Sequence, residues 1–141
     1  MTDKTGKKSY GWTGRILRVN LTDGTVSTFS TEPYKGYIGG MGLANKIMFD
    51  EVPAGTDPLS EENKVVFAVG PLTASGVPLA GRTTIASLST YTKDHQIVDA
   101  HCGGMLGARI KQAGYDAIVI EGKSDRPVYV MVDDDDVKIK S

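Results

Sequence analysis

The sequence lacks the features that mark several large classes of protein. It has one cysteine in 141 residues, so no disulfide and no cysteine-rich metal cluster can form within the chain. It has no apolar run of the 18 or more residues that indicate a transmembrane helix. Sixteen basic and seventeen acidic residues leave a formal charge of −1, which excludes a generally basic surface for nucleic acid. We therefore expect neither a nucleic acid nor a membrane as a partner.

The first ten residues are polar and contain no apolar stretch of the kind that a secretory signal needs. We expect residues 1–9 to be a disordered leader, because they are lysine-rich and show no periodicity. Residues 10–141 have the length of one domain, and the apolar share of 40% is that of a globular chain. A cytoplasmic protein fits this composition and the single cysteine best.

Glycine is the residue in excess, at 17 of 141, and it lies at the joints between apolar runs. Asp23-Gly24 between two β-prone runs predicts a hairpin, and the acidic turn at 133–136 predicts another near the end of the chain. The further predicted strands cover 65–69, 82–90, 96–100 and 117–120. The glycine pairs Gly39-Gly40 and Gly103-Gly104 each open a predicted helix.

Hairpins at both ends argue against a doubly wound parallel sheet. We predict an α+β fold, in which a mixed or antiparallel sheet of about seven strands forms the base and carries two or three helices.

Both glycine-opened helix starts are candidate anion sites, since glycine lets backbone N–H groups approach an anion that the helix N-terminus favours. The run from Gly40 to Asn45 reads G-x-G-x-x-N, however, and lacks the third glycine of a dinucleotide site. Close helix packing explains the same glycines.

Two further candidates are polar side chains beside glycines. Arg82 follows Gly81 at the mouth of a predicted strand, where a guanidinium can hold a phosphate with two hydrogen bonds; a solvated surface arginine is the alternative. His101 and Cys102 lie at a predicted strand-to-helix joint, where a thiol pKa is lowered and the cysteine could be a nucleophile or a ligand. A small buried cysteine is the alternative there. From the residues alone, no complete catalytic set is present.

Five segments in order give the sequence a family likeness. These segments are 11–21, 37–42, 58–64, 70–82 and 103–118, and they include Gly11-Trp12-Thr13-Gly14-Arg15 and Ala113-Gly114-Tyr115-Asp116-Ala117. On these segments the chain resembles the N-terminal domain of the tungsten-containing aldehyde:ferredoxin oxidoreductase family, over residues 10–140.

The resemblance implies a cofactor site. In that family the first domain is a sheet-built base for a tungsten (or molybdenum) bis-pterin, whose two pterin phosphates are bridged by magnesium. The position of Arg82 lies between pterin and iron–sulfur cluster. Ala100, His101, Cys102, Gly103 and Gly104 match the segment beside the pterin phosphates, and the backbone carbonyl at His101 is implied as a magnesium ligand. Asparagine is the commoner residue at this position, and a carbonyl ligand leaves the side chain free to vary.

The resemblance also implies that residues 10–141 are only part of the N-terminal cofactor-binding domain. Family members are several times longer, and the cysteines of their 4Fe–4S cluster lie in later domains, so Cys102 is not one of them. The expected partners are the remainder of the catalytic enzyme, or a larger chain that supplies it, and ferredoxin or a similar electron carrier. The implied reaction is the oxidation of an aldehyde to a carboxylic acid.

Two other functions remain open at this stage. The chain could be a noncatalytic split subunit or scaffold module that binds a larger catalytic chain. It could also be an unrelated nucleotide-binding domain that uses the glycines at 39–42.

Overall fold

A computed structural model describes residues 10–141, so the leader predicted for residues 1–9 lies outside the described part. A 3₁₀-helix over Glu32–Tyr37 precedes the first of two α-helices. The strands are β1 (Arg15–Asn20), β2 (Val26–Ser30), β3 (Lys64–Val69), β4 (Thr83–Leu88), β5 (Ile97–Cys102), β6 (Ala117–Glu121), β7 (Tyr129–Asp133) and β8 (Asp136–Lys140). The helices are α1 (Gly40–Glu51) and α2 (Leu106–Gln112).

Six strands form one mixed sheet in the order β2-β1-β6-β3-β4-β5, and β7 and β8 form a separate hairpin. The β1–β6 pair is parallel and the other neighbours in the large sheet are antiparallel. This arrangement confirms the α+β prediction and both hairpins. The described residues contain eight strands, each at a place where the sequence predicts one, but only six of them share the large sheet.

Helix α1 covers one face of the sheet. Its residues Leu43, Ala44, Ile47 and Met48 are fully buried, and their spacing places them on one stripe of the helix. They pack against residues from the four central strands: Ile16, Val66, Ala68, Ala86, Ala117 and Val119. The continuous apolar character of β3 follows from burial on both of its faces.

The other face packs against α2 and the β7–β8 hairpin. Leu17 and Val19 of the sheet join Ile110 and Tyr115 in this second core, with the valines of the hairpin at its margin. Helix α2 comes very close to the sheet, because a Cβ on Gly107 would lie 2.7 Å from the hydroxyl oxygen of Thr83. Glycine is therefore required where α2 crosses the start of β4.

A buried carboxylate ties the segment before β1 to the rest of the fold. Asp116 is fully buried and accepts hydrogen bonds from the backbone N–H groups of Thr13 (3.0 Å) and Gly14 (2.9 Å) and from the Thr31 hydroxyl (2.8 Å). The Lys111 ammonium lies 2.5 Å from the same carboxylate. Four donors compensate its burial, so Asp116 is a structural anchor.

A second ionic cluster closes the opposite end of the sheet. The Arg18 guanidinium bridges Glu51 and Glu121 at 2.7 Å each, and the Lys64 ammonium lies 2.5 Å from Glu121. Burial acts to raise the pKa of Glu121, but the hydrogen bond from Lys64 and the charge of Arg18 outweigh it and lower that pKa overall. The ionised form of Glu121 therefore stabilises the fold.

Three predicted boundaries were wrong. β4 spans Thr83–Leu88 rather than 82–90, and β5 spans Ile97–Cys102 rather than 96–100. β5 runs further because its pairing with β4 continues to Thr83 opposite Cys102. Helix α2 begins at Leu106, after Gly103-Gly104 and Met105, rather than at the glycine pair. Within residues 10–141, neither helix is long and apolar enough to cross a bilayer.

Candidate functional site

The sequence-predicted features meet in one open cavity of about 430 Å³ beside the start of α1. Its wall is formed by the first residues of α1, by the loop that follows β3, and by side chains at the paired ends of β4 and β5. Arg82 and His101 both line it, as do Gly39 and Gly40. Three features that were separate in the sequence therefore share one surface.

The start of α1 is built by close backbone contacts. Gly39 has φ 77°, a left-handed conformation, and a Cβ there would lie 2.7 Å from the carbonyl oxygen of Val69. No side chain caps the helix at this position. The N–H groups of the first turn thus lie at the cavity without a side-chain acceptor. The contacts confirm that close packing requires glycine here, and the anion site at the helix start stays a prediction.

Arg82 is exposed and directly precedes β4. Within residues 10–141 its guanidinium has no ion-pair partner, although ten such pairs link other residues there. A guanidinium left unpaired at a cavity mouth can donate two hydrogen bonds to an anion. Its surroundings fit the anion-binding prediction as well as the alternative of a solvated side chain.

The His101 ring contacts two side chains, of which Thr84 lines the cavity and Asp99 does not. Its Nδ1 lies 3.1 Å from the hydroxyl of Thr84, the residue opposite it on β4. Its Nε2 lies 2.9 Å from the carboxylate of Asp99, two residues earlier on β5 and so on the same face. Thr84 is nearly fully buried at 4% exposure, whereas His101 faces solvent. The ring thus connects Thr84 of β4, which lines the cavity, to Asp99 of β5.

The joint between β5 and α2 is open at both of its glycines. No atom lies within 4 Å of a Cβ built on Gly103 or on Gly104. The left-handed backbone is at Gly104, with φ 83°. The carbonyl oxygen of Gly104 lies 3.7 Å from a Cβ built on Gly81, which places the joint next to Arg82.

Ala100 and Cys102 lie within β5, as His101 does, rather than at the predicted strand-to-helix joint. Alternation along the strand turns their side chains to the face opposite that of His101. Cys102 is half-buried and lies opposite Thr83 in the sheet. These two residues can therefore reach the cavity only through their backbone.

Side chains of the described residues offer no cluster of three or more histidine, cysteine, aspartate or glutamate groups for a metal. Both nitrogens of His101 are already engaged. The resemblance implied a backbone carbonyl as the magnesium ligand at His101, and this remains a prediction.

Sequence analysis missed Thr84 and Asp99. Strand alternation gave a partial signal, since it placed Thr84 on one face of its strand with Ala86 and Leu88. Only the register of β4 with β5 shows that this face carries His101.

Comparison with known proteins defines the class. Residues 16–141 match the family model "Aldehyde ferredoxin oxidoreductase, N-terminal domain". The chain therefore belongs to this family. Membership excludes the unrelated nucleotide-binding domain that the glycines at 39–42 had left open.

Particular relatives are similar over nearly the whole chain. The tungsten-containing aldehyde ferredoxin oxidoreductase of Pyrococcus abyssi is 44% identical over 133 residues, covering 93% of this chain and 22% of that protein. The aliphatic sulfonate oxidoreductase, WOR-like subunit, of Pyrococcus furiosus is 35% identical over 136 residues, covering 93% and 21%.

Among solved structures, the active site complex BamBC of benzoyl coenzyme A reductase, in complex with 1,5-dienoyl-CoA, matches with a TM-score of 0.87 and 34% identity. The match covers 93% of this chain and 20% of that one. The chain thus spans about a fifth of the length of the proteins it matches.

Proposed function

We propose that this chain is the pterin-cradling segment of a tungsten (or molybdenum) bis-pterin oxidoreductase. The observation that carries the proposal is the shared cavity, which joins the start of α1, the unpaired Arg82 and His101 of β5, while the carbonyl of Gly104 in the open joint after β5 lies next to Gly81. Family membership supports it, as do four relatives that are named tungsten-containing aldehyde ferredoxin oxidoreductases. The complete enzyme oxidises an aldehyde to a carboxylic acid.

The residues present fit an anionic, partly apolar group. Within the described part of the chain, the cavity lining includes a guanidinium and an imidazole but no carboxylate. First-turn N–H groups of α1 add partial positive charge. Exposed apolar side chains on the rim, among them Ile38 and Leu79, suit the flat ring of a pterin. Open space at Gly103 and Gly104 lets a phosphate or a hydrated magnesium come near the backbone.

Each part of the site has a task in this proposal. Arg82 binds and orients the pterin on the side toward the 4Fe–4S cluster, with charge-assisted hydrogen bonds. Backbone groups of 100–104 hold the phosphates, and the His101 carbonyl is a magnesium ligand. The bound metal–pterin group supplies the two-electron chemistry. The other parts of the enzyme would hold the cluster, whose chemistry there would be electron transfer toward ferredoxin or a similar carrier in the cytoplasm.

The names of the relatives leave room for other substrates. Four relatives at 41–44% identity are named as aldehyde ferredoxin oxidoreductases, which favours an aldehyde. The relative at 35% identity is named for an aliphatic sulfonate. The alternative proposal, a noncatalytic split subunit that binds a larger catalytic chain, draws on the "subunit" in that name.

The proposal is tested by purifying the chain with its native partner chains and measuring tungsten, molybdenum, magnesium and pterin. We expect two pterins per tungsten or molybdenum. Arg82→Ala should lower aldehyde oxidation at least ~10-fold, since losing one hydrogen bond to a charged group costs about 1.5–3 kcal/mol. Arg82→Lys should recover little, because an ammonium cannot span two acceptors in a plane.

Arg126→Ala is the matched control, because Arg126 is an exposed arginine that does not line this cavity. Absence of pterin from the purified complex would overturn the proposal and favour the noncatalytic subunit. Normal activity and normal cofactor content in Arg82→Ala would refute only the role of Arg82 and leave the rest of the proposal standing.

A further inference from the structure

Of the described residues that line the cavity, His101 is the one whose side chain contacts two other side chains. Asp99 accepts from Nε2 at 2.9 Å, and Thr84 contacts Nδ1 at 3.1 Å. A neutral ring satisfies both contacts in one tautomer, in which Nε2–H donates to Asp99 and the Thr84 hydroxyl donates to Nδ1. The carboxylate of Asp99 selects that tautomer and fixes the plane of the ring.

The two contacts of the His101 ring lie near the end of β5, just before the open joint. β5 is an edge strand, hydrogen-bonded only to β4 within the described part of the chain. His101 is its penultimate residue, and the open joint at Gly103 and Gly104 follows at once. The two side-chain hydrogen bonds add to the backbone ladder where the edge strand would otherwise fray.

We propose that Asp99 is a positioning residue of the cofactor site, which acts through the His101 ring and Thr84 to fix the end of β5. The proposal rests on the proposed function, since it takes the cofactor to bind the backbone of 100–104. The family resemblance treated the His101 side chain as free to vary. In this chain the ring instead holds the carbonyl of its own residue and the adjoining glycines in place.

Edge protection is the competing explanation for these polar side chains, since inward-pointing charges keep edge strands from pairing with other chains. That role needs only the charge of Asp99. Positioning needs an acceptor for Nε2–H, and asparagine keeps that acceptor while removing the charge. Asp99→Asn and Asp99→Ala therefore separate the two explanations.

The test combines two measurements. First, ¹⁵N NMR of the histidine rings is recorded on this chain, which contains only His95 and His101. His95 lies exposed in the loop before β5 and gives the reference for a ring that exchanges between tautomers. Second, pterin and tungsten or molybdenum content is measured in the enzyme purified with its partner chains. Asp94→Ala, at an exposed position in the same loop, is the control.

We expect a single Nε2–H tautomer for His101 in the unmodified chain, in Asp99→Asn and in Asp94→Ala. Asp99→Ala should give His101 the averaged pattern of His95 and lower cofactor content at least ~10-fold, the effect of losing one charge-assisted hydrogen bond. Asp99→Asn should keep cofactor content within ~2-fold of the unmodified enzyme, since the acceptor remains.

A fixed tautomer in Asp99→Ala would overturn the proposal, as would full cofactor content in that variant. Equal losses in Asp99→Asn and Asp99→Ala, with the tautomer retained in Asp99→Asn, would also overturn it and favour edge protection. If the unmodified enzyme itself holds no pterin, the proposed function fails and takes this proposal with it. The first three results leave the proposed function standing.

Discussion

Gly42 offers a sharp test of how α1 is seated at the cavity. It lies in the first turn of the helix, where a Cβ would stand 2.2 Å from the carbonyl oxygen of Tyr37 and 3.3 Å from its carbonyl carbon. Tyr37 ends the 3₁₀-helix and leads into three residues with positive φ: Ile38 at 61°, Gly39 at 77° and Gly40 at 51°. The backbone at Gly39 is itself closely packed, because a Cβ there would lie 2.7 Å from the carbonyl oxygen of Val69. The carbonyl of Tyr37 therefore has little room to withdraw.

Two opposing effects decide the outcome of Gly42→Ala. Alanine gains about 1 kcal/mol over glycine in helix propensity. The contact with Tyr37 is far closer than ordinary van der Waals contact, and overpacking of this kind costs about 1–3 kcal/mol or more. Because the clashing atom belongs to constrained backbone, we place the strain above the usual range, at about 2–4 kcal/mol. The clash wins, and the net loss of unfolding free energy is about 1–3 kcal/mol.

The measurement is urea unfolding followed by circular dichroism, together with the melting temperature, which should fall by about 3–10 °C for a domain of this size. Gly36→Ala is the matched control, because a Cβ on Gly36 of the 3₁₀-helix meets nothing within 4 Å. That variant should stay within about 0.5 kcal/mol of the parent. A Gly42→Ala chain as stable as the parent would show that α1 is not seated by this contact.

Three other predictions follow from the sequence and the packing. Asp116→Ala should lower the free energy of unfolding by about 3–5 kcal/mol in urea, because it strands the buried Lys111 ammonium and two backbone N–H groups; wild-type stability would refute the anchor role. The pKa of Glu121 is lowered in the folded state, so its contribution is present above the ordinary carboxyl pKa and is lost as pH falls through the folded value. Glu121→Gln should therefore lower the free energy of unfolding at neutral pH, and this free energy should fall less steeply in acid than that of the parent. Parallel curves of unfolding free energy against pH for variant and parent would contradict this. The isolated 141-residue chain should not couple aldehyde oxidation to viologen reduction, since one cysteine cannot hold a 4Fe–4S cluster; turnover by the pure chain would refute this.

Much of the fold could be predicted because its signals are local. The buried stripe of α1 appears as apolar spacing in the sequence, and both hairpins are marked by turn residues that the structure confirms. Boundaries near β5 were harder, because that strand has little apolar alternation and its length is set by its partner. The sequence predicts that the strand ends before His101. In the structure, pairing with Thr83 and Thr84 extends β5 to Cys102.

The candidate site shows the same difference between local and long-range signals. Arg82 and the glycine pairs could be identified from their immediate neighbours in the sequence. Thr84 and Asp99 could not, because each is an ordinary strand residue whose meaning depends on what lies across the sheet and two positions along it. Glycines were ambiguous for a different reason: the sequence does not distinguish a glycine required by packing, as at Gly107, from one facing open space, as at Gly103.

The central position of β6 has a consequence for how the chain reaches this fold. β1 and β3 are not neighbours; each pairs with β6, whose residues lie about a hundred positions after β1, as in the pairing of Ile16 with Ala117. The β1–β2 hairpin and the β3–β4–β5 meander can each form early, from contacts close in sequence. They become one sheet only when Ala117–Glu121 inserts between them, after a long loop has closed. Until then, on the ribosome or during refolding, both units expose unpaired strand edges and an incomplete core. The chain is therefore most prone to aggregation before β6 has paired.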